Sequence, residues 1–225
     1  YGGLGNDTLE GGIAFGEDGN DELRLTFNND NVSGGAGDDR IVIGQNTLNA
    51  GDTISGGAGI DTLVLGYTMY DISGMTILPD IEGIDSSTTP YSFVIAGVAQ
   101  LSALKLLIAP GLEITGTGAI TLSSQLDLQL APLYNGTDGQ FYEQIRVASS
   151  GVDLNVSQVT GNQLAISLTT GGSTVTGSAS RDAIYGSGGI DSVSGGGGDD
   201  LMYGNGGRDT LLGGDGNDRI EAIGN

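Results

Sequence analysis

Nine aspartates in this 225-residue chain recur at one place in a short glycine-rich phrase: Asp7, Asp21, Asp39, Asp61, Asp182, Asp191, Asp200, Asp209 and Asp218. The last five stand in back-to-back units of nine residues beginning at Gly177, Gly186, Gly195, Gly204 and Gly213. Each aspartate holds the sixth position, and two residues later comes one apolar side chain: Ile184, Val193, Met202, Leu211 or Ile220. A six-residue turn of this kind needs glycine because its backbone visits positive φ, which is costly for other L-residues. Such turns aim carbonyl oxygens inward. A carboxylate at the sixth position completes a hard, all-oxygen cage, which suits Ca²⁺ rather than a soft transition metal. Several calcium ions are therefore the expected cofactor. The three residues after each turn form a strand that buries the apolar side chain in a thin core. Two units make one coil, so Asp182 with Asp200, Asp191 with Asp209, and Asp200 with Asp218 should each flank an ion layer.

The units are not equal. Gly177-Ser178-Ala179-Ser180-Arg181-Asp182 keeps only the first glycine of the phrase and has gained a cation, so Asp182 is expected to form a poor site or none. The N-terminal units begin at Gly2, Gly16, Gly34 and Gly56. Their aspartates are unevenly spaced, and Gly11 to Phe15 reads as an irregular insertion. Gly51-Asp52-Thr53-Ile54-Ser55 reads as a degenerate half-unit on the opposite edge. A flexible acidic linker is the plain alternative for such composition. A linker, however, has no reason to keep both the period and the apolar eighth position.

The remaining composition narrows the function. The net charge is −21, which disfavours nucleic acid as a partner because phosphates would be repelled. Without cysteine or histidine there are no disulfides, thiolate nucleophiles, Ser-His-Asp triads or His-ligated zinc sites. Catalysis is not expected. No apolar run reaches the roughly 18 residues that a membrane span needs. The chain starts inside one repeat and ends just after another, which reads as a segment of a longer protein.

Three sections follow from these patterns: an N-terminal calcium roll (1–65), a calcium-free section (66–176) and a C-terminal calcium roll (177–225). The middle section shows short alternating runs, among them Phe93-Val94-Ile95, Leu106-Leu107-Ile108, Leu126 to Leu130, Val152 to Val156 and Leu164 to Leu168, which read as strands. Val98 to Lys105 reads as a short helical turn. The section is either an inserted β-sandwich or a continuing solenoid. Thr62-Leu63-Val64-Leu65 and Ser173-Thr174-Val175-Thr176 run across its borders without a linker, which favours continuation. The expected fold is all-β, a right-handed parallel β-solenoid.

Carboxylates and aromatics outside the repeats are further candidates for chemistry. Glu82 with Asp85, or Asp138 with Glu143, could form a glycosidase-type carboxylate pair. Turn and solvent roles are the simpler reading of both. Tyr134, Phe141 and Tyr142 offer either a carbohydrate contact, for example to cell-surface polysaccharide, or packing on the solenoid flank.

The nonapeptides resemble those of RTX proteins, a group that includes proteases, lipases, toxins and giant adhesins. The order of Gly34-Gly35-Ala36-Gly37-Asp38-Asp39, Gly56 to Leu65 and Ile81-Glu82-Gly83-Ile84-Asp85 is similar to RTX surface-layer (S-layer) proteins of some Gram-negative bacteria. In that family a phrase like Ile81-Glu82-Gly83 opens a run of calcium-free coils. The resemblance implies type I secretion, calcium-triggered folding outside the cell, and self-association into a surface lattice or filament. An adhesin spacer and the secretion domain of an exoenzyme are the alternatives it leaves open. The middle section has no residue-by-residue match. Its lower charge, with nine acids against eleven in the first 61 residues, makes residues 86–176 the expected lateral contact surface.

Overall fold

A computed structural model describes residues 1–26, 29–44, 52–66, 70–71, 80–87, 93–97, 104–109, 111–122, 127–130, 132–135 and 140–222. Among these residues there are strands and turns and no helix. The helical turn expected at Val98 to Lys105 falls mostly outside the described residues.

The strands stack in parallel into four sheets. One contains Gly3–Leu4, Ile13–Asp18, Asn31–Ala36 and Thr53–Ala58. A second runs Thr8–Glu10, Glu22–Arg24, Arg40–Ile43, Thr62–Leu65, Gly83–Asp85, Leu106–Ala109 and Asp127–Leu130. A third begins at Tyr70–Asp71, takes in Phe93–Gly97, Gly111–Thr115, Gln140–Val147 and Leu164–Leu168, and ends with Ala183–Tyr185, Leu201–Tyr203 and Arg219–Glu221. The fourth holds Gly118–Thr121, Val152–Asn155, Thr174–Thr176, Ser192–Gly197 and Thr210–Asp215. The second sheet passes from the N-terminal repeats into the middle section, and the third and fourth pass from it into the C-terminal repeats. An inserted sandwich would break these ladders, so the solenoid continues. Pro132–Asn135 departs from the rule by pairing antiparallel with the start of Gln140–Val147.

Registers turn the apolar eighth positions into columns. Leu9, Leu23, Ile41, Leu63, Ile84, Leu107 and Leu128 stack along the second sheet. Leu112, Ile145, Ile166, Ile184, Met202 and Ile220 stack along the third. Ile120, Leu154, Val175, Val193 and Leu211 do so along the fourth. Most of these side chains are fully buried, each worth about 1.5–3 kcal/mol of apolar transfer. With one or two such residues per strand, the core is a narrow file, and the turns at its edges carry a large share of the structure.

Gly11 to Phe15 corrects the expectation of an irregular insertion. Gly11 and Gly12 make a bend, and Ile13 to Phe15 pair with Asn31 to Ser33 in regular register. The first coil is simply short: its opposite edge is cut to a two-glycine bend, while its aspartate edge keeps the full turn.

Candidate metal centre

The aspartates form ladders along the solenoid edges. In the N-terminal block the Asp7 N–H donates to Asp21 Oδ1 at 2.8 Å, the Asp21 N–H to Asp39 Oδ1 at 2.8 Å, and the Asp39 N–H to Asp61 Oδ1 at 2.9 Å. The coils between them are 14, 18 and 22 residues long, yet the aspartates stay in register, so insertions are absorbed on the other edge. In the C-terminal block the Asp182 N–H donates to Asp200 Oδ1 at 2.8 Å and the Asp200 N–H to Asp218 Oδ1 at 3.0 Å. On the opposite edge the Asp191 N–H donates to Asp209 Oδ1 at 2.9 Å. The three expected pairs at eighteen-residue spacing therefore stack.

Each ladder bond occupies one carboxylate oxygen. The other is left over. Oδ2 of Asp7, Asp21, Asp39, Asp61 and Asp200 is buried without a hydrogen-bond partner. A buried polar atom in that state costs about 1–3 kcal/mol, more when charged. Each of these oxygens faces the first glycine of its own turn. A methyl group placed on Gly16 would collide with Asp21 Oδ2 and with the Gly34 carbonyl oxygen. Gly34 stands in the same relation to Asp39 Oδ2 and the Gly56 carbonyl, and Gly195 to Asp200 Oδ2 and the Gly213 carbonyl. The first glycine thus keeps open a space lined by a carboxylate and a carbonyl from the next coil. Hard oxygens from both sources match the ligand set of Ca²⁺. Among the described residues no three acidic side chains converge on one point. A cage here must draw its remaining ligands from the backbone. Oδ2 of Asp209 and Asp218 likewise faces Gly204 and Gly213.

Burial and mutual repulsion act on the proton affinity of these groups. Burial pushes Asp200 up to about 7, with the charges of Asp182 and Asp218 adding to the rise. Asp61 is pushed up to about 6, by burial first and then by Asp39, Glu82 and Asp80. Asp39 is raised for the same first reason. At Asp39, Asp61 and Asp200 burial first, and neighbouring negative charge second, disfavour the ionised carboxylate, a cost that a cation would offset.

Asp182 and Asp191 differ. The Ser178 N–H donates to Asp182 Oδ2 at 2.7 Å and its hydroxyl to Oδ1 at 3.2 Å, while the Leu164 N–H reaches Oδ1 at 3.0 Å. At Asp191 the Ser187 N–H and hydroxyl both reach Oδ2, at 2.9 and 2.8 Å, and the Ser173 N–H reaches Oδ1. Both carboxylates already accept hydrogen bonds on each oxygen. Asp182 is raised to about 6, by burial, against those bonds. Arg181, expected to crowd Asp182, donates from Nε to the buried Tyr142 hydroxyl at 3.0 Å.

The backbone separates the two kinds of turn. The second position is left-handed in the turns of Asp7, Asp21, Asp39, Asp61, Asp200, Asp209 and Asp218. Two of these residues are not glycine: Glu17 at φ 76° and Asn205 at φ 65°. For a non-glycine residue that conformation is uncommon and marks a constraint. Ser178 and Ser187 occupy the same position without positive φ and turn back onto the aspartate.

Residues missed in the sequence reading belong to the same pattern. Asp30 is buried, and its N–H donates to Asp52 Oδ1 at 2.8 Å, forming the opposite edge of the N-terminal block. Thr26 satisfies Asp30 through its N–H and hydroxyl, as Ser178 satisfies Asp182. The signal is the phrase Asp-x-apolar-x-Gly, present at Asp52 to Gly56 after Gly51 and at Asp30 to Gly34 with no glycine in the five residues before it. Glu82 closes the main ladder, accepting the Asp61 N–H on Oε2 at 3.1 Å while Lys105 Nζ lies 3.7 Å from Oε1. Asp85 pairs with Arg40 at 3.6 Å and accepts the Ser87 N–H. Glu82 and Asp85 are thus held in structural bonds. Asp138 lies outside the described residues. Glu143 is pushed up to about 7 by burial and accepts a 2.8 Å bond from Asn162 Nδ2.

The comparisons with known proteins agree with this geometry. The model of the RTX calcium-binding nonapeptide repeat (4 copies) matches residues 1–13, 15–46, 46–66, 168–202, 176–211 and 185–220. No curated protein and no solved structure matches the chain. The matched segments cover just over half of the chain and hold all nine repeat aspartates, so this protein belongs to the RTX calcium-binding nonapeptide repeat family.

Proposed function

We propose that this chain is a non-enzymatic, calcium-stabilised structural module of a secreted bacterial surface protein, and that it takes part in an S-layer lattice on the cell surface. The observation that carries the reading is the row of buried, unpartnered oxygens on Asp7, Asp21, Asp39, Asp61 and Asp200. Without a cation they burden the fold; with one they become ligands. Binding to the folded state alone stabilises by mass action. Extracellular calcium modules bind at about 10⁻⁴–10⁻³ M, so the rolls would stay empty in a cytosol and fill outside the cell. In this reading 1–65 and 177–225 are the calcium rolls and 66–176 the calcium-free section between them. The surface-layer assignment draws support from Ile81-Glu82-Gly83, the phrase that resembles the surface-layer transition. Its glutamate stands where the aspartate ladder ends and a lysine contact begins.

Electron microscopy of the purified chain tests the lattice. Ordered sheets or filaments in millimolar calcium, dispersed by EGTA, are expected. Separate particles in both conditions would contradict the lattice and favour an adhesin spacer.

A further inference from the structure

We propose that the Asp61 layer closes the N-terminal roll as a capped divalent-cation site, to which the Asp80 carboxylate, from outside any repeat, and the Ser55 hydroxyl are added as ligands. The repeat layers show how this site is built. Gly16 looks onto Asp21 Oδ2 and the carbonyl of Gly34, and Gly34 looks onto Asp39 Oδ2 and the carbonyl of Gly56. Gly56 looks onto Asp61 Oδ2 and the carbonyl of Asp80. Asp80 therefore stands where the first glycine of another turn would stand. It supplies the same carbonyl and brings a carboxylate with it. Asp80 is two residues before Glu82, the register partner of Asp61, so no six-residue turn follows it.

The side chains point to a ligand. Asp61 is fully buried, and its Oδ2 has no partner. Asp80 Oδ1 is also buried without a partner, while its Oδ2 accepts the Ser55 hydroxyl at 2.6 Å. Ser55 directly precedes Gly56, and its hydroxyl ties the Asp80 side chain to the strand that carries that glycine. Glu82 is engaged by the Asp61 N–H and Lys105 and is not needed as a ligand. Two carboxylates, a carbonyl and a hydroxyl make a hard oxygen set with one more charge than a repeat layer offers, and added ligand charge tightens Ca²⁺ binding. The Asp80 charge already acts on the buried Asp61, and a cation between them would offset that repulsion.

The inference rests on the calcium-roll reading of residues 1–65. The test is calcium titration by calorimetry on the full chain, comparing it with Asp80→Asn, which keeps shape and carbonyl but removes the charge. The expected result is one ion fewer, or one site weakened at least tenfold, with thermal stability lowered in calcium and not in EGTA. Ser55→Ala keeps every carboxylate and should weaken the same site by a smaller factor. Unchanged ion number and affinity in Asp80→Asn would overturn the site. So would equal destabilisation in calcium and EGTA, which is what a purely structural Asp80 would give. An unsubstituted chain that binds no calcium would instead overturn the reading of the whole block.

Discussion

At the residue scale, the second position of each turn decides what its aspartate does. Where that position is left-handed, the aspartate keeps an oxygen facing the first glycine. Where it is serine or threonine in an ordinary conformation, its N–H takes Oδ2 and its hydroxyl donates to the same carboxylate. Ser187→Gly is accordingly predicted to add a calcium ion, or to tighten one site, in a calorimetric titration; an unchanged isotherm would speak against the rule. Asp200→Ala should lower calcium affinity more than Asp182→Ala. Asp182→Ala should instead cost about 1–3 kcal/mol in denaturant unfolding with or without calcium, because it leaves the Leu164 and Ser178 donors unmatched. Equal losses of affinity for the two would contradict this. Proton affinity gives a pH test. The folded-state values of Asp200, about 7, and Asp61, about 6, lie above the ordinary 3.8, so the metal-free fold binds more protons than the unfolded chain between pH 4 and 7. Its stability should fall as pH rises through that window in EGTA, while calcium affinity should rise, since the ion replaces the proton. A chain in EGTA that gains stability from pH 5 to 7.5 would contradict the sign.

At the scale of elements, the coils were legible because their period is simple. Aspartate at position six and an apolar residue at position eight fix turn, strand and register together. The columns of Ile184, Met202 and Ile220 and of Val193 and Leu211 follow directly. Strands of the middle section such as Val152–Asn155 and Leu164–Leu168 were legible from alternation. The shape of a turn was not. Ser187 differs from a glycine by a hydroxymethyl group, and only the folded turn shows that this group bonds Asp191. The role of Asp80 is set by a partner in the previous coil, which no local pattern carries. The strand Pro132–Asn135 escaped because it pairs antiparallel, against the rule of the rest. An element-scale prediction follows from the first glycines. Gly34→Ala should cost calcium affinity, since its methyl enters the space between Asp39 Oδ2 and the Gly56 carbonyl. Full affinity in that variant would place the ion elsewhere.

At the scale of the molecule, one parallel stack carries two differently charged regimes. The ladders run through the repeat blocks, and the main N-terminal one ends at Glu82 with Lys105 beside it. Lateral contacts through the less charged residues 86–176 are the proposal for assembly. Among the described residues, however, the exposed large apolar side chains Tyr1, Leu4, Ile13, Ile60, Ile190, Leu212 and Ile220 all lie in the repeat blocks. Cross-linking of assembled material would decide, with links confined to the repeat blocks contradicting the proposal. The central claim is that calcium completes the two rolls and leaves the middle section indifferent. Hydrogen exchange read by mass spectrometry, in millimolar calcium and in EGTA, tests it most directly. Strong loss of protection in EGTA is predicted across residues 1–65 and 186–222, with residues 140–168 little changed. Identical protection in both conditions would contradict it.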